Sequence, residues 1–474
     1  MAIATINPAT GTTEKTFEPH DDAEVERRVA QAHAAAETLR GTSFGERAGW
    51  ARATADVLDA DTDILAAVMT TEMGKPIAQS RAEVGKCAAA LRFYADNAER
   101  FLADEPLEDP SAVGATRAWA RYQPLGTILA VMPWNFPLWQ VIRFAAPALM
   151  AGNTGVLKHA SNVPQTALYL DGLFERGGFP AGSFRTLLIG SDRIEAVIDD
   201  PRIAAVTLTG SEPAGQAVAA QAAHRIKKSV LELGGSDPYI VMPSADLDEA
   251  VSTAVTARTQ NNGQSCIAAK RFIVHTDVYD EFAEKFVAAM GRLTVGDPMD
   301  ESVDVGPLAM EGGRDDLIEL VDDAREAGAS ILLGGEAPEG PGWFYPVTVI
   351  ADLPDSARLV REESFGPVAS LYRVADREEA VRVADQTPFG LSSSAWTTDP
   401  EEQEFFADRL QAGGVFLNGM TASSPQLPFG GIKRSGYGRE LSAAGIREFC
   451  NLKTVWWPEA APRPRFPGSR APAA

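Results

Sequence analysis

The sequence predicts an α/β protein with two sheet-bearing domains, and three observations carry that expectation. From Thr127 onward, short apolar strands alternate with helical patterns: Ile128 to Met132, Gly155 to Lys158, Thr186 to Ile189, Ala204 to Thr209 and Ser229 to Leu233. Such alternation implies a parallel sheet with helices on both faces, and ligands gather at the carboxyl ends of its strands. Polar signatures fall at those ends: Trp134-Asn135, Lys158, Thr209-Gly210-Ser211 and Glu232. A second alternating run has strands near Tyr239 to Met242, Arg271 to His275, Ile331 to Leu333, Val368 to Tyr372, Ser393 to Trp396 and Val415 to Asn418. It is long enough for its own sheet, which puts a domain boundary close to Gly234-Gly235 and a candidate site in the cleft between.

Ahead of these runs, a short turn over Asn7-Pro8-Ala9-Thr10-Gly11 leads to a helix opened by Asp21-Asp22, with Val25, Val29, Ala32 and Leu39 at helical spacing. Two further amphipathic helices are expected over 45–73 and 77–103, the second just after Pro76. Cys87 shares helical spacing with Val84 and Leu91 and reads as core. Two segments fit neither domain, Thr116 to Tyr122 and Leu452 to Trp457. As exposed strands they are candidates for pairing across a subunit interface. The Pro/Ala-rich tail after Pro458 is expected to be disordered.

Composition sets outer limits. A chain of 474 residues is too long for one core. Its 65 acidic against 43 basic residues give a net charge of −22, a field that repels nucleic acid and anionic membrane. The three cysteines are no disulfide framework, the start lacks a basic region followed by an apolar run, and no apolar run reaches membrane-spanning length; a cytoplasmic protein is expected.

Three residues carry candidate chemistry. Cys266 follows Gln260-Asn261-Asn262-Gly263-Gln264-Ser265, a stretch too polar for a core strand, and a thiolate is a strong nucleophile once its environment favours it. Glu232 ends the apolar run Val230-Leu231; a carboxylate there is either a buried ion-pair partner or a general base whose pKa burial raises. Asn135, in a turn between Pro133 and Pro137, is either a turn former or an amide donor for an oxyanion. Cys450 reads as structural. The reading invokes no metal.

Together these pieces resemble the aldehyde dehydrogenase superfamily over nearly the whole chain. The resemblance rests on Pro133-Trp134-Asn135-Phe136-Pro137, Lys158, Thr209-Gly210-Ser211, Glu232-Leu233-Gly234-Gly235, Gly263-Gln264-Ser265-Cys266, Glu363-Ser364-Phe365-Gly366-Pro367, and Pro428-Phe429-Gly430-Gly431 with Lys433, Ser435 and Gly436. It implies an aldehyde dehydrogenase-like fold: a Rossmann-type dinucleotide domain over 1–112 and 128–233, an α/β catalytic domain over 234–438, and a small β oligomerisation element over 113–127 and 439–458. It makes Cys266 the nucleophile, Asn135 and the Cys266 backbone N–H the oxyanion donors, and Glu232 the base that activates water. Lys158 then holds the adenosine ribose, Ser211 the pyrophosphate at a helix N-terminus, and Glu363 the nicotinamide ribose beside Phe365, with Trp134, Gly210 and Gly234 lining the cofactor path. A homodimer or homotetramer is implied.

Members that prefer NAD commonly carry a glutamate three residues after the ribose-binding lysine; here that residue is Ser161. A hydroxyl without negative charge accepts a 2′-phosphate, and His159 adds positive character, so NADP preference or dual use with NAD is expected. Arg143, eight residues past Asn135, matches a carboxylate-binding arginine of the succinate-semialdehyde dehydrogenase branch, as do the Asn261 to Arg271 run and Ser423-Ser424. A second such arginine is replaced by Gln260, with Arg258 available to compensate. The expected substrate is succinate semialdehyde, with another short aliphatic or carboxylated aldehyde next; a surface or interdomain ion pair is the plainer reading of Arg143. The five histidines have no triad setting for a cysteine hydrolase, intact Cys266, Glu232 and Asn135 oppose a non-catalytic binding protein, and Glu232 favours water over coenzyme A as acyl acceptor.

Overall fold

The structure, a computed structural model, describes residues 2–458, so the expectation for the tail over 459–474 lies outside the described residues. A six-stranded sheet runs in the order Gly436–Tyr437, Lys228–Glu232, Ile203–Thr209, Thr127–Met132, Thr154–His159, Phe184–Thr186, and only its first pair is antiparallel. Every residue of Thr127–Met132 and Thr154–His159 is buried, as parallel strands covered on both faces require. Ile128, Ala130 and Met132 face one core and Leu129 and Val131 the other, the alternation a strand imposes. The register sets Lys158 beside Val131 and Glu232 beside Thr209, so the polar signatures do lie at strand ends.

A seven-stranded sheet follows the order Ser330–Leu333, Thr348–Ala351, Val368–Val374, Ala269–His275, Asp237–Val241, Ser393–Trp396, Val415–Leu417, parallel except for its first pair. The Leu233 to Ser236 connection passes from one sheet to the other. A third sheet joins Cys450–Pro458, Ala115–Pro124 and Glu105–Pro106. The two segments expected to pair across an interface therefore pair with each other inside the chain, Leu452 opposite Tyr122 and Trp457 opposite Arg117. Cys450–Pro458 remains an edge strand with Leu452, Trp456 and Trp457 exposed.

The structure differs from the sequence-based elements at several places, the short strands Glu105–Pro106 and Gly436–Tyr437 among them. The turn at Asn7 to Gly11 is the tip of a hairpin, Ile3–Asn7 with Thr12–Phe17, whose second strand is too polar to show a core face. The helix expected over 45–73 divides into Phe44–Ala60 and Thr62–Met73, because the Asp61 carboxylate is drawn to Tyr169 (2.9 Å) and Arg176 (2.6 Å). The strand expected at 186–189 lies at Phe184–Thr186, and Thr348–Ala351 is an additional strand. Cys87 is fully buried in the core, as its spacing implied.

Candidate active site

The Cys266 thiol sits on a loop whose shape its own sequence dictates. Helix Leu247–Thr259 gives way to Asn261, Asn262 and Gly263, all left-handed, with φ of 59°, 58° and 72°. Asparagine tolerates that region and glycine is at home in it. Only glycine also fits at 263, where a Cβ would lie 2.4 Å from the Gly366 carbonyl oxygen. Asn262 Nδ2 donates to the carbonyls of Gly74 and Pro307, and Asn261 Nδ2 to those of Asn135 (2.8 Å) and Gln264 (2.9 Å). The polar run before Cys266 is thus a hydrogen-bonded frame, although Asn261 Oδ1 and Gln264 Nε2 are buried without partners among the described residues.

Asn135 enters from the other sheet, just past Thr127–Met132. Its Nδ2 donates to the Gln264 carbonyl at 3.1 Å, which ties the expected oxyanion donor to the nucleophile loop. A cavity of about 210 Å³ opens here, and Trp134, Asn135, Gln140, Thr209, Gly210, Ser211, Leu233, Gly234, Cys266, Glu363 and Phe365 are among the residues that line it. Eight sequence-predicted residues therefore meet: Trp134, Asn135, Gly210, Ser211, Gly234, Cys266, Glu363 and Phe365. The Trp134 and Phe365 rings meet edge to face at 5.7 Å. The paired glycines permit the approach, since a Cβ on Gly234 would stand 2.6 Å from Glu363 Oε2 and one on Gly235 2.7 Å from the Cys266 carbonyl oxygen. Burial pushes the Cys266 thiol up to about 12, against the opposing pull of Arg143 and Lys270.

Glu232 is buried behind this cavity rather than among its lining residues, and neither carboxylate oxygen has a hydrogen-bond partner among the described residues. Burial first, and the Glu440 carboxylate second, hold its pKa well above the usual carboxylate range. Arg143, 2% exposed, is ion-paired with Glu440, donates to Thr209 Oγ1 at 3.3 Å and stacks 4.6 Å over the Phe429 ring. The guanidinium expected to be open to a substrate carboxylate is thus already matched by a buried acid.

Lys158 lines a second cavity of about 370 Å³ with Ser191, Asp192, Glu195 and Gln221, and burial lowers its pKa while Asp192 opposes the shift. Ser161 is half-buried two residues past the strand that carries Lys158, and its carbonyl accepts the Ala4 N–H at 3.1 Å. His159 does not add positive character: burial lowers it to about 4, and the neutral ring bridges the Pro137 carbonyl (2.8 Å) and the Ala160 N–H (2.9 Å). Gln260 is exposed and Ser424 half-buried, and neither is among the residues lining the Cys266 cavity. Arg258 does not compensate for Gln260, because its guanidinium is spent on the carbonyls of Gly263 (2.6 Å) and Ala269 (3.0 Å).

Sequence reasoning missed Lys270. Its ammonium, 2% exposed, donates to the carbonyls of Ser265 (3.0 Å), Cys266 (2.8 Å) and Ala268 (3.3 Å) and lies 3.1 Å from Glu363 Oε1. A lysine second in the strand Ala269–His275, every residue of which before His275 is buried, was the available signal. Glu440 carried no signal of its own.

A thiol, an amide donor tied to its loop and the Glu363 carboxylate meet at one cavity, as expected of an enzyme of the aldehyde dehydrogenase class, and the chain belongs to the aldehyde dehydrogenase family, whose family model matches residues 1–455. The particular relatives are consistent among themselves. Succinate-semialdehyde dehydrogenase [NADP(+)] of Mycobacterium avium is 64% identical over 457 residues, covering 96% of this chain and 97% of that protein. Succinate-semialdehyde dehydrogenase [NADP(+)] 1 of Mycobacterium tuberculosis is 64% identical over 456 residues, 96% of this chain and all of that one. Among solved structures, the succinic semialdehyde dehydrogenase of Streptococcus pyogenes in complex with NADP+ superposes with a TM-score of 0.93 at 37% identity, covering 97% of this chain and 100% of that one. The succinate-semialdehyde dehydrogenase of Burkholderia pseudomallei gives 0.92 at 36% identity, over 96% and 94% of the two chains.

Proposed function

We propose that the protein oxidises succinate semialdehyde to succinate with NADP as hydride acceptor, NAD serving as the weaker alternative. The carrying observation is the convergence of Cys266, Asn135, Ser211 and Glu363 on one cavity. The cofactor fits the residues present: Ser211 begins the helix Glu212–His224 without spending its hydroxyl on a cap, and Glu363 reaches the same cavity. Lys158 holds the adenosine ribose and Ser161 faces the 2′-phosphate. When bound, NADP supplies the hydride acceptor.

The chain's own residues do the rest. Cys266 adds to the aldehyde carbon after its thiol proton is lost, and Asn135 Nδ2 with the Cys266 N–H holds the oxyanion. Departure of the hydride leaves a thioester on Sγ. Glu232 takes a proton from water, which adds to the thioester, and the thiolate leaves with succinate formed. A pKa raised by burial makes Glu232 a stronger base once it is ionised and exposed to water. The overall change is aldehyde, NADP+ and water to carboxylate, NADPH and two protons.

Residues 113–127 and 439–458 serve oligomerisation as a homodimer or homotetramer, supported by the exposed Leu452, Trp456 and Trp457 on an edge strand. A cytoplasmic location agrees with free thiols at Cys87, Cys266 and Cys450. Initial rates of reduced-nicotinamide formation, with NAD and NADP crossed against succinate semialdehyde and butanal, test the reading. The combination of NADP and succinate semialdehyde is expected to give the highest kcat/KM; equal activity on both aldehydes would remove the carboxylated substrate.

A further inference from the structure

None of the residues lining the Cys266 cavity comes from the helix Ile77–Phe101, yet the start of that helix grips both stretches that meet there. Gln79 Oε1 accepts the Asn261 N–H at 2.7 Å, on the loop that carries Cys266. Four residues on, Glu83 Oε1 accepts the N–H groups of Leu138 (2.9 Å) and Trp139 (2.8 Å), just past the turn that carries Asn135. These are N–H groups that the start of the helix Trp139–Ala151 leaves without partners of its own, and a carboxylate suits that end of a helix. Residues four apart share one helix face, so a single turn of helix holds the nucleophile loop with one side chain and the Asn135 turn with the other.

The surroundings fix this grip. Glu83, 4% exposed, is ion-paired with Lys75, whose ammonium lies 4.4 Å over the Phe136 ring, beside Asn135. The Gly74 carbonyl accepts from Asn262 Nδ2 at 2.8 Å, a second tie to the nucleophile loop. No larger residue fits at 74, where φ is 78° and a Cβ would lie 2.7 Å from the Pro307 carbonyl oxygen. Asn135 and Cys266 sit on connections belonging to different sheets, with no shared strand ladder to set their spacing. A donor serves an oxyanion only when it is placed to a fraction of an ångström, and a helix that holds both connections removes their relative freedom.

We propose that Gln79 and Glu83 are positioning residues for the oxidation step, holding the Asn135 amide in register with Cys266. When the thiolate adds to the aldehyde carbon, the carbonyl π pair moves onto oxygen and meets a donor already in place. Neither residue touches the reacting atoms. The inference rests on the reading of Asn135 as an oxyanion donor, and it gives a helix outside both main sheets a part in the chemistry.

The test is a pair of contrasts that keep side-chain size and change the acceptor: Gln79→Leu against Gln79→Glu, and Glu83→Leu against Glu83→Gln. The Glu83 variants are made with Lys75→Met so that no charge is stranded. Each leucine variant is expected to lower kcat by about tenfold or more while the KM values for aldehyde and cofactor stay within about twofold. Gln79→Glu and Glu83→Gln restore an oxygen acceptor and recover most of the loss. With Asn135→Ala added, the leucine variants cost less than about twofold further, because the amide they misplace is gone. Leucine variants that cost as much without the Asn135 side chain as with it, or cost nothing in either setting, overturn the positioning role and leave Asn135 as the donor. Should Lys75→Met with Glu83→Leu not fold, the half-buried, uncharged Gln79 decides alone. An Asn135→Ala variant with wild-type kcat overturns the oxyanion reading and this inference together.

Discussion

The Lys270 ammonium lies 3.1 Å from Glu363 Oε1 while donating to the Cys266 carbonyl at 2.8 Å. One buried cation therefore ties the nucleophile loop to the carboxylate proposed to hold the nicotinamide ribose. Lys270→Met leaves the carbonyls of Ser265, Cys266 and Ala268 without this donor and Glu363 without its countercharge. Small displacements of reacting groups are expensive, so kcat/KM is expected to fall by about 100-fold. The KM for the cofactor should rise along with the loss in kcat. Unchanged cofactor KM would show that Glu363 does not depend on Lys270.

Cys266 offers a direct titration. Its thiol is pushed to about 12 by burial, so the thiolate fraction in the free enzyme is small throughout the neutral range. The rate of alkylation by iodoacetamide is expected to climb about tenfold per pH unit from 7 to 10 without a plateau. Lys270 is one of the charges that pull this pKa down, so Lys270→Met should be slower still at each pH. A plateau below pH 9 in the free enzyme would contradict the desolvated setting.

Arg143 and Glu440 are a buried pair, and breaking such a pair on one side strands a charge. Arg143→Met is expected to destabilise the fold by about 3–5 kcal/mol in denaturant unfolding. The double variant Arg143→Met with Glu440→Gln should recover a large part of that loss, because the stranded carboxylate goes with it. Activity on acidic and neutral aldehydes should fall alike in Arg143→Met. Selective loss on the acidic one would return the carboxylate contact to Arg143.

What could be read from the chain follows from range. Cys266 and Asn135 announce themselves because a reactive or polar group sits where the neighbouring pattern calls for a turn, whereas Glu363, in the acidic run Arg361-Glu362-Glu363, is reached only through the family resemblance. The two sheets were legible for the same reason, since buried parallel strands are continuous apolar runs. Thr348–Ala351 escaped because a run of four residues, Thr-Val-Ile-Ala, is too short to separate from a loop by its pattern. The Thr12–Phe17 strand escaped because its exposed, polar residues have no period to find. Partnerships escaped altogether: Arg143 with Glu440 and Gln79 with Asn261 join distant stretches of chain, and only the fold says which groups meet.

The proposed function puts the cofactor choice on a single side chain, that of Ser161. Replacing it with glutamate sets a negative charge against the 2′-phosphate beside Lys158, and like-charge contacts of that kind weigh several kcal/mol at an interface. Ser161→Glu is therefore expected to lower kcat/KM with NADP by at least about tenfold relative to NAD. Neutral His159, already engaged with Pro137 and Ala160, has no charge to offset it. A ratio that does not move would place the phosphate elsewhere.

Glu232, the proposed base, also couples stability to pH. Its folded-state pKa stands well above the ordinary carboxylate value, through burial and then the Glu440 charge, so the folded chain keeps a proton that the unfolded chain releases. The resulting stabilisation is fully present below the unfolded value, near 4.5, and is lost as pH rises through the folded one. Glu440, raised mainly by burial, works in the same direction. Between pH 5 and 8, wild-type stability should therefore decline, and Glu232→Gln should flatten the decline by up to about 1.4 kcal/mol per pH unit. In turnover the same variant is expected to form the acyl-enzyme with a burst of reduced cofactor and then stall, because the step it lacks is deacylation. A variant that keeps steady-state turnover, or one that fails before the burst, would take the water-activating role away from Glu232.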